Sequence, residues 1–407
     1  MKLHIFAIEN KYDFMNISIF FRLLLLSFFI NLNAQTIRIP NNRTNSQKLD
    51  LLIQQEKNFG KDSLALQKYL QPLSKTKLYL PLHSALQANS YTNFYDRITA
   101  KSKKLYQTSI NQANILGYKP LQIWTRLNYV KRLYHYGYYQ EMQPVLLELM
   151  KDIRQTKESE IINPLDTYKT IGWIMQTLSD YPEANYYLKL ALKYCKPDNP
   201  NYASILDNYG VNLYKMRYYQ DALKHFDKSG AIALKNKDIL RYAKTLGNKA
   251  LVYEKQKKYV EAISLLKEDI ALSERLKESK NKMFASIALS RIYLKNNALT
   301  EAEDLINEAG KIASSKSYFR KWELEVVNLK LDLLKRKPNP NEELLVSRRM
   351  MVLLDSLKVT DGDDQILHVK WQVQKVKYQQ KLLKQINNTR RKSLLKTFLE
   401  FSLYYQF

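Results

Sequence analysis

Residues Asn208–Gly230 read NYGVNLYKMRYYQDALKHFDKSG, and residues Asn248–Ile270 read NKALVYEKQKKYVEAISLLKEDI. Aligned without gaps, the two share a small residue near the start, a tyrosine in the middle, an alanine three later and a large apolar residue four after that. Two more stretches fall into the same frame: TIGWIMQTLSDYPEANYYLKLAL (Thr170–Leu192) and ALSRIYLKNNALTEAEDLINEAG (Ala288–Gly310). The shared alanines are Ala184, Ala222, Ala262 and Ala302, spaced 38, 40 and 40 residues apart. A near-constant period of this length predicts helical hairpins stacked side by side.

The residue types give that period a physical meaning. A small residue (Gly172, Gly210, Ala250, Ser290) stands twelve before each marker alanine and lets a neighbouring helix approach. Leu188, Phe226, Leu266 and Ile306 stand four after it, on the same helical face as the alanine. Tyr181, Tyr219, Tyr259 and Leu299 stand three before it, where they fill the turn within each hairpin.

This pattern resembles the tetratricopeptide repeat, in which a small residue, an aromatic, an alanine and a second large residue recur in this order. It is clearest at Gly210, Leu213, Ala222 and Phe226, and at Ala250, Tyr253, Ala262 and Leu266. The chain departs from the family where a tryptophan usually opens the first helix: Tyr168, Leu206, Leu246 and Ser286 stand there. Its period also exceeds the usual length of roughly 34 residues, which calls for longer helices or turns. The resemblance implies an all-α fold, a right-handed α-solenoid of tetratricopeptide-like hairpins followed by a long C-terminal helix. Tyr129–Leu149 and Trp322–Leu357 extend it as weaker units, giving a solenoid over 119–358. Degenerate helices occupy 47–118, with one further pair inside Lys77–Asn114.

Composition agrees. Nine Gly and eleven Pro in 407 residues fall well under the usual combined share of roughly 12%, against a turn-rich β fold. A single Cys excludes a disulfide framework and a Cys-based zinc site. The formal net charge of +26 favours acidic partners.

At the N-terminus, Arg22 precedes the apolar stretch Leu23–Ile30, and Ala34 stands before Gln35. This is the order of a secretory leader. It predicts a signal peptide over 1–34, cut after Ala34, with Met15 the better start because Glu9 and Asp13 precede it. Residues 35–46 read as a linker. The expected location is exported, either periplasmic or membrane-associated.

The C-terminus differs in kind. Gln365–Leu399 holds no acidic residue and nine basic ones. Ile366, Val369, Val373, Val376 and Leu383 keep a heptad-like spacing, interrupted by Gln380 and Asn387. A basic, coiled-coil-like helix is expected over 364–396, offering self-association through 365–396, with an apolar tail over 397–407.

No phosphate-binding, zinc-protease, CxxC or nucleophile-elbow motif occurs, and the five His are scattered. The chain is therefore read as non-enzymatic, with no catalytic residue, metal ligand or cofactor. Interaction is the better reading. The first helices of stacked hairpins line a concave face that holds peptides or helices. Helical spacing puts Lys131, Tyr134, Lys169, Trp173, Tyr214, Lys215, Lys255, Arg291 and Lys295 on or near it, with large aromatics as anchors. Related chaperone-binding domains clamp a terminal carboxylate with Lys and Asn. Asp207, Val211, Gly247 and Leu251 stand at the corresponding places here, so the resemblance does not carry that activity over.

The sequence thus reads as an exported protein-interaction scaffold or sensor taking a protein or peptide of acidic character. Its plan is similar to the sensor half of bacterial membrane-tethered regulators, so a truncated regulator is one alternative. A peripheral binder of anionic membranes is another. A nucleic-acid binder is a third, disfavoured if the chain is exported.

Overall fold

The computed structural model describes residues 63–71, 77–315, 319–359 and 364–404. The leader and linker expected over 1–46, and the end of the tail at 405–407, lie outside the described residues.

Every extended element among the described residues is helical. Contacts divide the chain into two compact units at Gly117/Tyr118. In the first, α1 (Ser63–Leu70) precedes a hairpin of α2 (Leu80–Tyr95) and α3 (Ala100–Leu116). A capping box starts α3: Thr99 accepts from the Ser102 N–H, and Ser102 accepts from the Thr99 N–H. Tyr106 is buried between the two helices and donates its hydroxyl to Asn89 Oδ1 at 2.9 Å.

The second unit is an all-α helical-repeat solenoid. Its successive pairs are α4/α5 (Lys119–His135, Tyr139–Arg154), α6/α7 (Pro164–Thr177, Tyr181–Lys193) and α8/α9 (Pro200–Lys215, Tyr219–Lys235). Then follow α10/α11 (Ile239–Lys255, Tyr259–Arg275), α12/α13 (Ser279–Lys295, Leu299–Ser314) and α14/α15 (Arg320–Leu334, Pro340–Val359).

The forty-residue period has a simple cause. From α9 to α12 each helix is 17 residues long, and a three-residue turn separates each from the next, within and between hairpins alike. Each turn has the same geometry. Arg217, Lys237, Lys257, Lys277 and Asn297 stand twenty residues apart, all left-handed with φ between 57° and 68°. The N–H after each reaches back to a carbonyl five residues earlier, as in Lys258 to Tyr253 at 2.9 Å and Asp238 to Ala233 at 2.8 Å. This is the Schellman closure, which glycine usually serves. Among the described residues, the glycines with left-handed φ are Gly117 and Gly137.

Packing inside each hairpin follows the small-to-large pairing. A β-carbon on Gly172 would lie 2.7 Å from Leu188 Cδ2, and one on Gly210 would lie 2.6 Å from Phe226 Cε1. Ala222, Ala262 and Ala302 are fully buried, and Phe226, Leu266 and Ile306 nearly so. Each such large side chain contributes roughly 1.5–3 kcal/mol.

The helix expected to stop at 396 runs on to Tyr404: α16 (Asp364–Tyr404) is 41 residues long, about 60 Å at 1.5 Å per residue. No Gly or Pro interrupts that stretch, so nothing local ends it. Its first turns pack on α5 and on the turn between α6 and α7. Trp371 is fully buried there. Its indole N–H donates to Asp180 Oδ2 at 2.9 Å, and Lys375 Nζ donates to the same oxygen at 2.8 Å. His368 Nδ1 stands 3.0 Å from the Leu178 carbonyl. Burial, with Glu148 nearby, pushes the Tyr378 phenol up to about 12. Among the described residues no helix is long and apolar enough to cross a membrane.

Candidate functional site

The first helices of the hairpins share one face, and a cavity of about 530 Å³ opens on it. It spans α6 to α14 and draws on successive repeats at equivalent positions, such as Asp207 with Gly247 and Val211 with Leu251. Its apolar part includes Val211, Leu251, Phe284 and Trp322, the last two rings 4.4 Å apart between centroids. Lys215 and Lys321 are exposed at its edge, and Lys244 is half-buried.

Its polar floor is built from two buried carboxylates. Asp207, on α8, accepts from Arg241 Nη1 and Asn248 Nδ2, both on α10 and both at 2.9 Å. Burial pushes the Asp207 carboxyl up against the pull of Arg241 and Asn248. Asp269 comes from a second helix, α11. It accepts from Asn281 Nδ2 at 2.6 Å and from Ser273 Oγ at 3.2 Å. Burial pushes it up to about 7 despite those two bonds. Lys244 is pushed down, first by burial and then by the like charge of Arg241. A floor whose acids are buried and partnered, beneath a rim of lysines, presents a cationic edge and an apolar wall to a ligand.

Gly247 is what lets Asp269 reach this floor. A β-carbon there would lie 2.5 Å from Asp269 Oδ2. Seven residues after each marker alanine stand Ala191, Ser229, Asp269 and Ala309. A carboxylate where the other repeats hold a small residue was the signal in the sequence. Trp322 and Lys244 carried no comparable mark.

The nine residues expected on this face do not converge on one site among the described residues: one, Lys215, lines the cavity. Lys131 pairs with Asp166. Lys169 donates to Asn201 Oδ1 at 3.0 Å and stands 5.1 Å from the centroid of the Trp173 ring. The indole nitrogen of Trp173 is buried with no hydrogen-bond partner among the described residues. Tyr134 shares a hydrogen bond with Thr177 at 2.8 Å, and Tyr214 tilts against Tyr219 at 6.1 Å. Arg291 and Lys295 both bind Glu254, at 3.1 and 2.6 Å, and Arg291 also binds Glu325 at 2.9 Å. Lys255 is exposed and lies outside the cavity. Asp207, Val211, Gly247 and Leu251, at the places of the carboxylate clamp, all line it.

No family model matches the sequence, and no curated protein is similar to it. Solved structures are similar in fold. The apo form of RapI superposes with a TM-score of 0.58 at 16% identity, covering 83% of this chain and 98% of that one. A Rap protein complexed with Competence and Sporulation Factor superposes with a TM-score of 0.52 at 13% identity, covering 77% and 99%. In fold, then, this chain is a tetratricopeptide-like helical-repeat protein.

Proposed function

We propose that this chain is a non-enzymatic protein-interaction module, and that the cavity over Asp207 and Asp269 seats an extended segment of its partner. One observation carries the reading: apolar and amide-bearing side chains from five successive hairpins converge on one cavity of about 530 Å³. A surface of that length suits a peptide better than a small metabolite, whose sites are more enclosed. Apolar side chains of the segment sit against Val211, Leu251, Phe284 and Trp322. Lys215, Lys244 and Lys321 favour acidic groups beside them. The Rap protein of similar fold was crystallised as a complex with Competence and Sporulation Factor, which is in keeping with this use of the fold. The leader reading of residues 1–34 adds the compartment to the proposal: an exported scaffold or sensor, periplasmic or membrane-associated, whose mature chain begins at Gln35.

The test is affinity capture from extracts of the host with the wild type and with Leu251→Arg, a half-buried position on the cavity wall. The variant should lose the proteins that the wild type retains while its helical circular dichroism stays unchanged. Retention of the same proteins by a folded Leu251→Arg would contradict the assignment. N-terminal sequencing of the protein from its host checks the compartment.

A further inference from the structure

The helix α16 shows two unlike faces. His368, Trp371, Lys375 and Tyr378 turn toward the solenoid and are buried or half-buried. On another side, Val369, Val373, Val376 and Leu383 are 60%, 45%, 50% and 59% exposed. With Gln380 these positions alternate in steps of four and three, the core pattern of a two-stranded coiled coil. A row of apolar side chains at that spacing, half open to water, is a seam without its second strand.

The charges beside the seam say what that strand is. Lys370, Lys377 and Lys384 recur at every seventh residue along one flank, and position 391, an arginine, continues the row. The other flank holds Gln372, Gln379 and Ile386. No acidic residue occurs between 365 and 399. A second copy of α16 therefore brings no carboxylate to the lysine row and sets one all-basic helix against another. Flanking charges choose partner and orientation in coiled coils. We propose that the Val369–Leu383 seam of α16 docks an acidic amphipathic helix of another protein. That helix carries Glu or Asp along the edge facing Lys377 and Lys384, and an amide opposite Gln380. This surface is independent of the cavity over Asp207 and Asp269, so either assignment stands or falls without the other.

The test uses the full chain and two synthetic helical probes of roughly four heptads each. Both have Val and Leu at core positions and one Gln to meet Gln380; one is flanked by Glu and the other by Lys. The Glu probe should bind in calorimetry, weakening at least about tenfold between about 50 and about 500 mM salt as exposed ion pairs are screened. The Lys probe should not bind. Val376→Asp with Leu383→Asp, both exposed positions, should abolish binding with the helical content unchanged. Lys377→Glu with Lys384→Glu should exchange the preference toward the Lys probe. No binding of the Glu probe, or equal binding by the double Asp variant, overturns the proposal. So does a wild type that sediments as a dimer which the double Asp variant breaks, since the occupant is then a second copy. Capture of the chain by anionic vesicles with neither probe bound also overturns it, in favour of a lipid surface.

Discussion

Two neighbouring stretches of the solenoid, which share the hairpin α10/α11, handle charge in opposite ways. Around Glu254 every neighbour is committed: the carboxylate is almost fully buried, and it binds Arg291 and Lys295 of the next hairpin while Arg291 also binds Glu325. Burial pushes Glu254 up, but hydrogen bonds from Arg291 and Lys295 outweigh it and hold the carboxyl below its ordinary range. Around Asp207 and Asp269, burial prevails, Asp269 rises to about 7, and a cavity opens. Two of the carboxylates that tie hairpins together reach one repeat ahead: Asp207 to Asn248 and Glu254 to Lys295, each 41 residues on. The lesson is that cations on the first helices serve two purposes. Arg291 and Lys295 tie repeats to one another. Lys215 edges the cavity.

The largest effect expected from breaking this contrast is at Glu254. Glu254→Ala leaves two cations facing an emptied, buried position, and should cost roughly 2–4 kcal/mol of unfolding free energy. Denaturant titration measures it. A loss below about 0.5 kcal/mol would mean that the ladder contributes nothing.

Next is the acid on the other side of the contrast. With its folded-state pKa raised to about 7, Asp269 binds a proton in the folded chain that it has already lost when unfolded at the same pH. Stability on its account is full below the unfolded value near 4 and falls as pH rises toward 7. Between about pH 5 and pH 8 the wild type should lose roughly 2–3 kcal/mol on this account. Asp269→Asn keeps the acceptor for Asn281 and should remove that part of the slope. Glu254 has the opposite sign: its contribution is lost only as pH falls through the acid range.

Smaller still is the effect at Gly247. Ala for Gly inside a helix normally stabilises by about 1 kcal/mol. Here Asp269 occupies the space, so Gly247→Ala should destabilise by roughly 1–2 kcal/mol. Combined with Asp269→Ser it should change sign and stabilise. A double-mutant cycle that closes to zero would mean that Gly247 and Asp269 are not coupled.

Much of the fold was legible because it rests on pairs fixed by the period. Gly172 faces Leu188, and Gly210 faces Phe226, each sixteen residues apart in every copy. The turns were harder, since lysine, arginine and asparagine take left-handed positions that a reader expects of glycine. The docking of Trp371 on Asp180 was invisible, because 191 residues separate them and no repeat relates them. At the site, the helical face was readable but not which of its cations were already paired. That depends on Asp166 and Glu254 standing one repeat away at matching height. The smallest expected effect follows from the turns. Lys257→Gly relieves the left-handed strain but loosens the unfolded chain, and should raise stability by about 0.5 kcal/mol.

The central claim is that partners meet the cavity and not the ion-paired stretch beside it. Photo-activatable benzoylphenylalanine in place of Lys215 at the cavity edge, or in place of Lys255 one repeat on and outside the cavity, tests this in the living host. The cavity reading predicts a discrete crosslinked partner from position 215 and none from 255. Equal crosslinking from both, or crosslinking from 255 alone, would contradict it.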